Sequence, residues 1–267
     1  MTVELSESRV LLTGAAGGIG RTIARTLHAR GAHIVLSGRN VDALATLESE
    51  LGERAEVAVA DLADAPGVAA LAERAGAVDI LVANAGLPGT GKLVAFEPEQ
   101  IDRTIHVNLR APMQLARALV PGMIERGSGH LVFVCSLSGK IAAPRASVYC
   151  ATKFGLRGFG FSLHQELAAK GVGVTTIFPG FIREAGMFVD SGAKLLPGMG
   201  TSSPQEVADA VIEGIEKNKA EIDVAPLVMR SGTRILSAAP SLYTALSRRL
   251  GGGKIAASVA EGQQDKR

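Results

Sequence analysis

Residues 10–20, VLLTGAAGGIG, decide the fold of this 267-residue chain. An apolar run typical of a buried strand ends at Thr13, a glycine-rich turn follows, and a helical pattern begins at Ile19. Such a turn lets the backbone approach a pyrophosphate, and the helix N-terminus offers free N–H groups and the positive end of its dipole. The stretch therefore predicts a dinucleotide site. The alternative is a tight turn whose small residues only pack a helix against a strand.

Short apolar runs alternate with longer helical patterns along the rest of the chain, which predicts an α/β fold with a parallel, doubly wound Rossmann-type sheet and helices on both faces. The predicted strands are Arg9–Thr13, His33–Ser37, Ala55–Ala60, Asp79–Ala83, His130–Cys135, Val172–Phe178 and Glu221–Val224. The predicted helices are Ile19–Arg30, Val41–Leu51, Gln100–Arg126 (as more than one helix), Ser147–Lys170 and one from the capping box at Ser203 to about Asn218.

One domain is expected over residues 1–250, including a helical extension over residues 226–250. The tail, residues 251–267, begins with three glycines and is expected to be disordered. Apolar residues also recur every four positions within the extension, with basic residues beside them. The stripe consists of Leu242, Leu246 and Leu250, flanked by Arg248 and Arg249. The preferred interpretation is a helix packed on its own domain or on a neighbouring subunit. The less favoured alternative is a lid over the substrate mouth or a membrane contact.

Composition narrows the class of protein. Lys and Arg number 28 against 26 Asp and Glu, which removes the electrostatic reason to expect a nucleic-acid partner. No long apolar run predicts a membrane span, and Met1–Ser8 does not resemble a secretion signal. The two cysteines, Cys135 and Cys150, are interpreted as reduced packing residues, and no metal site is predicted. A soluble, cytoplasmic, single-domain protein is expected.

The second predicted strand bears on cofactor preference. A dinucleotide site that holds a ribose 2′-hydroxyl carries an acid at the end of this strand, whereas here the residues are Ser37, Gly38 and Arg39. A guanidinium can bind a 2′-phosphate through paired hydrogen bonds, and a carboxylate would repel it. Arg39 therefore predicts NADP(H), with NAD(H) as the alternative if Arg39 is only solvated or stacks on adenine.

Tyr149 and Lys153 open a helix at a spacing that places both side chains on one face. Ser136 ends the strand 13 residues earlier, at the carboxyl edge where open α/β sheets bind ligands. These residues predict acid–base chemistry at the sheet edge. An ordinary helix pair and a strand-end cap are the alternatives.

With these motifs in order, the chain resembles the short-chain dehydrogenase/reductase family over roughly residues 5–225. The matching residues are Thr13, Gly14, Gly18, Ile19 and Gly20, Asp61 and Leu62, Asn84, Ala85 and Gly86, Asn108, Ser136, Tyr149, Lys153, Pro179 and Gly180. The resemblance implies a seven-stranded sheet, a catalytic set of Asn108, Ser136, Tyr149 and Lys153, and a homodimer or homotetramer. It also implies cofactor contacts from Gly14, Ala16, Gly17, Gly18, Ile19, Gly20, Arg39, Asp61, Leu62, Asn84, Ala85, Gly86, Tyr149, Lys153, Pro179, Gly180 and Ile182.

The physical chemistry of these residues agrees with the implied roles. A free tyrosine has a pKa of about 10, and a neighbouring ammonium with an oxidised nicotinamide is expected to lower the pKa of Tyr149. Tyr149 is then the general acid/base, and Ser136 hydrogen-bonds the substrate oxygen as its charge develops. The resemblance adds that Lys153 holds the nicotinamide ribose and that Asn108 holds a water in a proton relay.

One position departs from the family pattern, because Arg183 and Glu184 stand where many members carry a threonine near the cofactor. The contacts of the cofactor on that side are therefore left open.

The expected function is NADP(H)-dependent interconversion of a carbonyl and a secondary alcohol on an apolar small molecule. The alternatives are an NAD-dependent enzyme of the family, an epimerase or dehydratase of the same fold, and a catalytically silent dinucleotide-binding protein. Three segments should form the substrate pocket: Leu87–Lys92, Leu137–Ala146 and Glu184–Ser202. Their apolar residues, which alternatively cover the core or a subunit contact, include Leu87, Leu137, Ile141, Met187, Phe188, Leu195, Leu196 and Met199.

Overall fold

The computed structural model, which describes residues 3–195, 200–249 and 252–264, contains one sheet of seven parallel strands. In chain order they are β1 (Arg9–Thr13), β2 (His33–Gly38), β3 (Ala55–Val59), β4 (Ile80–Ala83), β5 (Gly129–Val134), β6 (Val172–Pro179) and β7 (Glu221–Val224). Their order across the sheet is β3-β2-β1-β4-β5-β6-β7, so the winding direction reverses between β1 and β4. Ligands of open α/β sheets bind at such a reversal, outside the carboxyl ends of the strands.

Helices cover both faces of the sheet. They are α1 (Gly18–Ala29), α2 (Val41–Leu51), α3 (Ala65–Ala75), α4 (Pro98–Ile105), α5 (Ala111–Arg126), α6 (Ser147–Leu167), α7 (Met187–Asp190), α8 (Pro204–Lys217), α9 (Leu227–Ser237), α10 (Pro240–Arg249) and α11 (Gly252–Glu261). A π-helical turn over His106–Arg110 joins α4 to α5. None of the helices in the described ranges is both long enough and apolar enough to cross a bilayer.

Successive side chains of each strand point to opposite faces of the sheet, which explains why helices form a layer on each face. In β1, Leu11 packs in the apolar cluster shared with α3, α5 and α6, whereas Val10 and Leu12 pack in the opposite cluster with α1, α2 and α8. Successive strand side chains point to opposite faces, so strands that are apolar throughout must be covered on both sides. The doubly wound Rossmann-type fold is confirmed.

The helix over Ala65–Ala75 was not predicted, because Pro66 and Gly67 interrupt the apolar pattern where the helix begins. Pro66 lies in the first turn, where it loses no helical hydrogen bond. Asp64 caps the helix by accepting a hydrogen bond from the Gly67 backbone N–H at 2.7 Å. The signal was therefore present in the capping residues rather than in the periodicity.

The tail differs from the disordered segment expected over residues 251–267, because its described part forms α11 and packs on the domain. Ile255, Ala260 and Gln263 are buried. The amide Nε2 of Gln263 donates to the Met187 carbonyl, and its Oε1 accepts from the Thr90 hydroxyl, both at 2.7 Å. These partners are distant in sequence, so local composition did not reveal them.

The extension is only partly packed on its own domain. Leu242, the first residue of the predicted apolar stripe, is 57% exposed in the single chain, and its packing on a neighbouring subunit stays a prediction. Leu246 and Leu250 lie outside the side chains that the structure describes.

A buried histidine in β5 predicts acid sensitivity of the fold. His130 is almost inaccessible, and its Nε2 lies 3.0 Å from the Thr175 hydroxyl. Burial, with a smaller effect of the charge on His164, lowers the pKa of His130 to about 3. The unfolded chain binds a proton near its ordinary pKa of about 6.5, so stability present above that pH is lost as the pH falls towards 3.

We expect His130 to decrease the free energy of unfolding by roughly 2 kcal/mol between about pH 7 and pH 5. Urea denaturation across this range should show a shallower pH dependence in His130→Gln, which cannot titrate. Parallel curves for the two proteins would contradict this explanation.

Candidate active site

A cleft of about 610 Å³ opens at the carboxyl edge of the sheet, where the winding direction reverses between β1 and β4. Glycine-turn, strand-end and α6 residues that were predicted from the sequence line it together. They are Gly14, Gly17, Gly18, Ile19, Gly20, Arg39, Asp61, Leu62, Asn84, Ala85, Gly86, Ser136, Tyr149, Lys153, Pro179, Gly180 and Ile182. Ala16 and Asn108 are the two predicted residues that do not line it.

The glycine turn has the shape of a phosphate cradle. Gly14 has φ +66°, and a Cβ there would lie 2.8 Å from Ala85 Cα. A Cβ on Gly20 would lie 2.1 Å from the Gly14 carbonyl oxygen, so the turn requires glycine at both positions. Gly17 caps α1 without a side-chain hydrogen bond, which leaves the first N–H groups of the helix available to an anion. These features fit a pyrophosphate.

Ala16 supports this turn from behind. Its carbonyl accepts a hydrogen bond from Arg21 Nε at 3.0 Å. Ala16 therefore stabilises the backbone of the turn rather than lining the cleft.

Asn84 ties the end of β4 to the glycine turn. Its Nδ2 donates to the carbonyls of Thr13 at 3.1 Å and Gly14 at 3.2 Å. The backbone N–H groups of Asn84 and Ala85 both donate to the Thr13 hydroxyl at 3.1 Å. The motif of residues 84–86 thus holds the turn at the rim of the cleft.

Arg39 and Asp61 face each other at the ends of β2 and β3, with Arg39 Nη1 4.0 Å from Asp61 Oδ2. Both side chains are about half exposed, and an exposed pair at that distance contributes little. The guanidinium therefore remains available to another anion in the cleft.

Ser136, Tyr149 and Lys153 converge on the same wall. Ser136 follows β5, and its hydroxyl accepts from the Ser138 backbone N–H at 3.1 Å. Tyr149 lies in the first turn of α6, with its backbone N–H donating to the Gly89 carbonyl at 3.1 Å. Lys153 is one helical turn further, and its Nζ lies 5.6 Å from the Tyr149 ring centroid.

Burial determines the direction of the pKa shifts of Tyr149 and Lys153. Burial raises the pKa of Tyr149, and a hydrogen bond with Ser136 offsets this only in part. Burial also lowers the pKa of Lys153, whose Nζ donates to the Val134 carbonyl at 3.2 Å. The expected lowering of the tyrosine pKa includes the positive charge of an oxidised nicotinamide, so it stays a prediction for the enzyme with that cofactor bound.

Asn108 lies behind the cleft, in the π-helical turn. Its Oδ1 accepts from the Leu87 N–H at 2.7 Å, and its Nδ2 donates to the Leu87 carbonyl at 2.9 Å. A further bond reaches the Thr152 hydroxyl at 3.3 Å. The side chain joins the loop after β4 to α6, and its implied place in a water relay stays a prediction.

Arg183 and Glu184, which stand where many family members carry a threonine, lie at the outer wall of the cleft. Glu184 lines the cleft with φ +73°, whereas Arg183 pairs with it at 3.0 Å and donates to the Thr201 carbonyl. The next residues, Ala185 and Gly186, pack against the glycine turn. A carboxylate therefore stands on the outer wall of the cleft.

The outer wall continues through α7, of which Met187 and Phe188 line the cleft. Gln263 fastens this helix to Thr90, as described above, and a Cβ on Gly262 would lie 2.0 Å from the Ser191 carbonyl oxygen. We call residues 252–264 the strap. The strap was not predicted from the sequence, because the residues that it contacts are distant along the chain. Leu196 and Met199, expected in the pocket, lie outside the described residues.

A buried ion cluster holds the loop that carries Ser136. Lys140 Nζ lies 2.5 Å from Asp223 Oδ1 and 2.9 Å from Glu221 Oε2, and it sits 3.9 Å from the centroid of the Phe178 ring. A charge this deeply buried requires such partners. Sequence reasoning missed Lys140, since its acidic partners are more than 80 residues away.

Small or buried residues of the cleft wall were also missed: Gly38, Ala60, Val107, Val134 and Cys135. Burial raises the pKa of the Cys135 thiol to about 11, and its Sγ lies 3.2 Å from the Lys153 carbonyl. Burial also raises the pKa of Cys150. Both cysteines are free, buried thiols. Neither thiol is activated as a nucleophile.

Comparison with known proteins agrees with this geometry. The family model described as short chain dehydrogenase matches residues 8–195. Nodulation protein G of Rhizobium meliloti (strain 1021) is 42% identical over 186 residues, which are 68% of this chain and 76% of the relative. The 3-oxoacyl-(acyl-carrier-protein) reductase FabG of Rickettsia conorii is 36% identical over 181 residues, 68% of this chain and 75% of the relative.

A solved structure is similar over most of the chain. It is a 3-oxoacyl-(acyl-carrier protein) reductase with bound NAD from Brucella melitensis, with 32% identity and a TM-score of 0.73, covering 83% of this chain and 91% of that one. The chain therefore belongs to the short-chain dehydrogenase/reductase family of NAD(P)-dependent oxidoreductases.

Proposed function

We propose that this protein is an NADP(H)-preferring reductase that converts a carbonyl on an apolar small molecule to a secondary alcohol. The observation that carries the proposal is the convergence of Ser136, Tyr149 and the buried Lys153 beside a cradle shaped for a pyrophosphate. We propose the reductive direction because two similar proteins are named as reductases of 3-oxoacyl groups.

The residues divide the work of reduction. The glycine turn and the free N–H groups of α1 hold the pyrophosphate, and Lys153 together with residues 179–182 holds the nicotinamide end. The reduced nicotinamide supplies the hydride when bound. Ser136 donates a hydrogen bond to the substrate oxygen as negative charge develops, and Tyr149 gives that oxygen its phenolic proton. Asn108 keeps the loop after β4 in register with α6, as a positioning residue.

A second assignment within this proposal is the preference for NADP(H). Arg39 lines the cleft at the end of β2, is about half exposed and, among the described residues, has a long ionic contact with Asp61. A 2′-phosphate offers it a bidentate partner with two charges, which is a better acceptor than a carboxylate at 4.0 Å. Asp61 opposes this preference by its own charge, and NAD(H) is the alternative that follows if that repulsion dominates.

The apolar wall points to the substrate class. Leu87, Met187 and Phe188 line the same cleft as Ser136 and Tyr149. Two of the similar proteins are named as reductases of 3-oxoacyl groups on acyl-carrier protein. We therefore place a 3-oxoacyl thioester first among the apolar carbonyls to be tried.

A panel of carbonyl compounds tests this function by following the absorbance of NADPH. The panel contains 3-oxoacyl thioesters, cyclic ketones, quinones and terpenoid ketones, each with Tyr149→Phe as the background. We expect saturable oxidation of NADPH with at least one apolar carbonyl that the variant does not show. Equal turnover by Tyr149→Phe and the wild-type protein would contradict the proposal. It would also be contradicted if the enzyme oxidised alcohols but reduced no carbonyl at any ratio of reduced to oxidised cofactor.

We also propose a homodimer or homotetramer assembled through α5 and α6. Phe154 and Phe161 are exposed on one face of α6, with Gly158 between them at helical spacing. Gly155 and Gly160, in contrast, allow close packing inside the domain, against Leu109 and Thr176. The two buried, free thiols agree with a reducing compartment, and we propose the cytoplasm.

A further inference from the structure

The outward face of α9 is apolar although it is exposed. Leu227 is 75% exposed, Val228 77% and Ile235 66%. At about 100° per residue these three side chains lie within one arc of the helix, with Ser231 between them. The opposite face packs inward through Met229 and Thr233. Next along the chain, Leu242 of α10 is also largely exposed. We call the outward side of these two helices the α9–α10 face.

The segment between Ala225 and Ala260 carries only positively charged side chains. No Asp or Glu occurs between Ala225 and Ala260, whereas five basic residues do. These are Arg230, Arg234, Arg248, Arg249 and Lys254. The whole chain carries +2, so the remainder carries −3. Arg234 makes one long contact with Asp223 at 3.3 Å and is still 66% exposed.

We propose that the α9–α10 face docks on the surface of a lipid bilayer that contains anionic lipids. Apolar side chains that project from a short amphipathic helix enter the boundary between headgroups and acyl chains, and basic residues around them attract anionic headgroups. Both features occur in this stretch of chain, where Arg234 and Arg249 are exposed along with the apolar side chains. A symmetric contact with a second copy would place these arginines against each other without an acidic partner from the same stretch, so self-association fits the charges less well.

The inner side of α9 packs next to the cleft, so a bilayer bound to the outer side would lie near the cleft. A Cβ on Gly180, which lines the cleft, would lie 3.6 Å from Met229 Cε and 3.1 Å from Ala225 Cβ. Pro226, at the start of α9, packs on Gly200 at the end of the loop that follows β6. Docking through the outward side of α9 therefore brings the cleft near the bilayer, where an apolar substrate dissolves.

Co-sedimentation of the full chain with vesicles tests the proposal without any substrate. We use phosphatidylcholine vesicles with and without phosphatidylglycerol, at low and at high salt. The double variant Leu227→Asp/Ile235→Asp removes the apolar face, and Val94→Asp is the matched control, since Val94 is 93% exposed outside this face. Thermal unfolding and NADPH binding report whether each variant retains its fold, and Leu227→Ser/Ile235→Ser provides a milder pair.

We expect binding to anionic vesicles that weakens at high salt, falls by about tenfold or more in both double variants and is unchanged in Val94→Asp. Arg249→Glu should reduce the dependence on phosphatidylglycerol. Absence of vesicle binding by the wild-type protein at low salt overturns the proposal, as does equal binding by the double variants. A third outcome also overturns the proposal: the wild-type protein does not bind vesicles, and light scattering gives a lower mass for the double variants than for the wild type. That result would identify the face as a contact between copies of the chain.

Discussion

Replacing Tyr149 by phenylalanine is expected to lower kcat by about a thousandfold, while the protein remains folded and binds NADPH normally. Only the phenolic oxygen is lost, so the cavity keeps its shape and its burial. What disappears is the proton donor for the substrate oxygen and the partner of Ser136. Steady-state kinetics with the best carbonyl of the panel, together with fluorescence titration of NADPH, measures the two quantities separately.

Cys150→Ala is the matched control for this variant, because Cys150 is the buried neighbour of Tyr149 in the same helical turn. Its thiol does not line the cleft, so we expect turnover within about threefold of wild type, with some loss of stability. Near-normal turnover in Tyr149→Phe would refute the assignment of the acid. A comparable loss in both variants would show that packing in α6, and not the phenolic proton, sets the rate.

Replacing Arg39 by aspartate, with Gly38 unchanged, is expected to reverse the cofactor preference. The wild-type protein should bind NADPH at least about tenfold more tightly than NADH, a difference of about 1.4 kcal/mol. The substitution removes a guanidinium and adds a carboxylate that repels the 2′-phosphate and accepts from a 2′-hydroxyl. The ratio of kcat/KM for the two cofactors should therefore change by about a hundredfold.

Arg25→Gln controls for the loss of a surface charge, since Arg25 pairs with Glu50 outside the cleft. Its ratio of kcat/KM values should equal that of the wild-type protein. Equal affinities of the wild-type protein for the two cofactors would instead favour the NAD-dependent alternative. In that case Asp61, at 4.0 Å from Arg39, already neutralises the guanidinium.

The sheet and the glycine turn were predictable because their signals are local. β1 and β7 have the predicted bounds, and the other strands agree within a residue at either end. A strand buried on both faces is apolar throughout, and a glycine with φ +66° that approaches Ala85 leaves a motif in the sequence. The order of the motifs then placed Ser136, Tyr149 and Lys153 at one edge.

Properties that depend on distant contacts or on burial were not predictable. The strap bonds to Thr90 and Met187, which are 173 and 76 residues from Gln263. The direction of the Tyr149 pKa shift depends on how completely the ring is enclosed, and the spacing to Lys153 contains no information about that. Asn108 shows the same limit, because its amide partners in the Leu87 backbone cannot be inferred from a motif.

The strap also has a consequence for vectorial synthesis on the ribosome. The sheet is complete at Val224, whereas the bonds that fasten α7 over the cleft need Gln263, which is synthesised 39 residues later. At roughly 5–20 residues per second this interval lasts about 2–8 s. Until Gln263 has been synthesised, the nascent chain has every strand of the sheet but lacks the residue that fastens α7. The fastening of α7 over the cleft therefore follows the synthesis of the sheet.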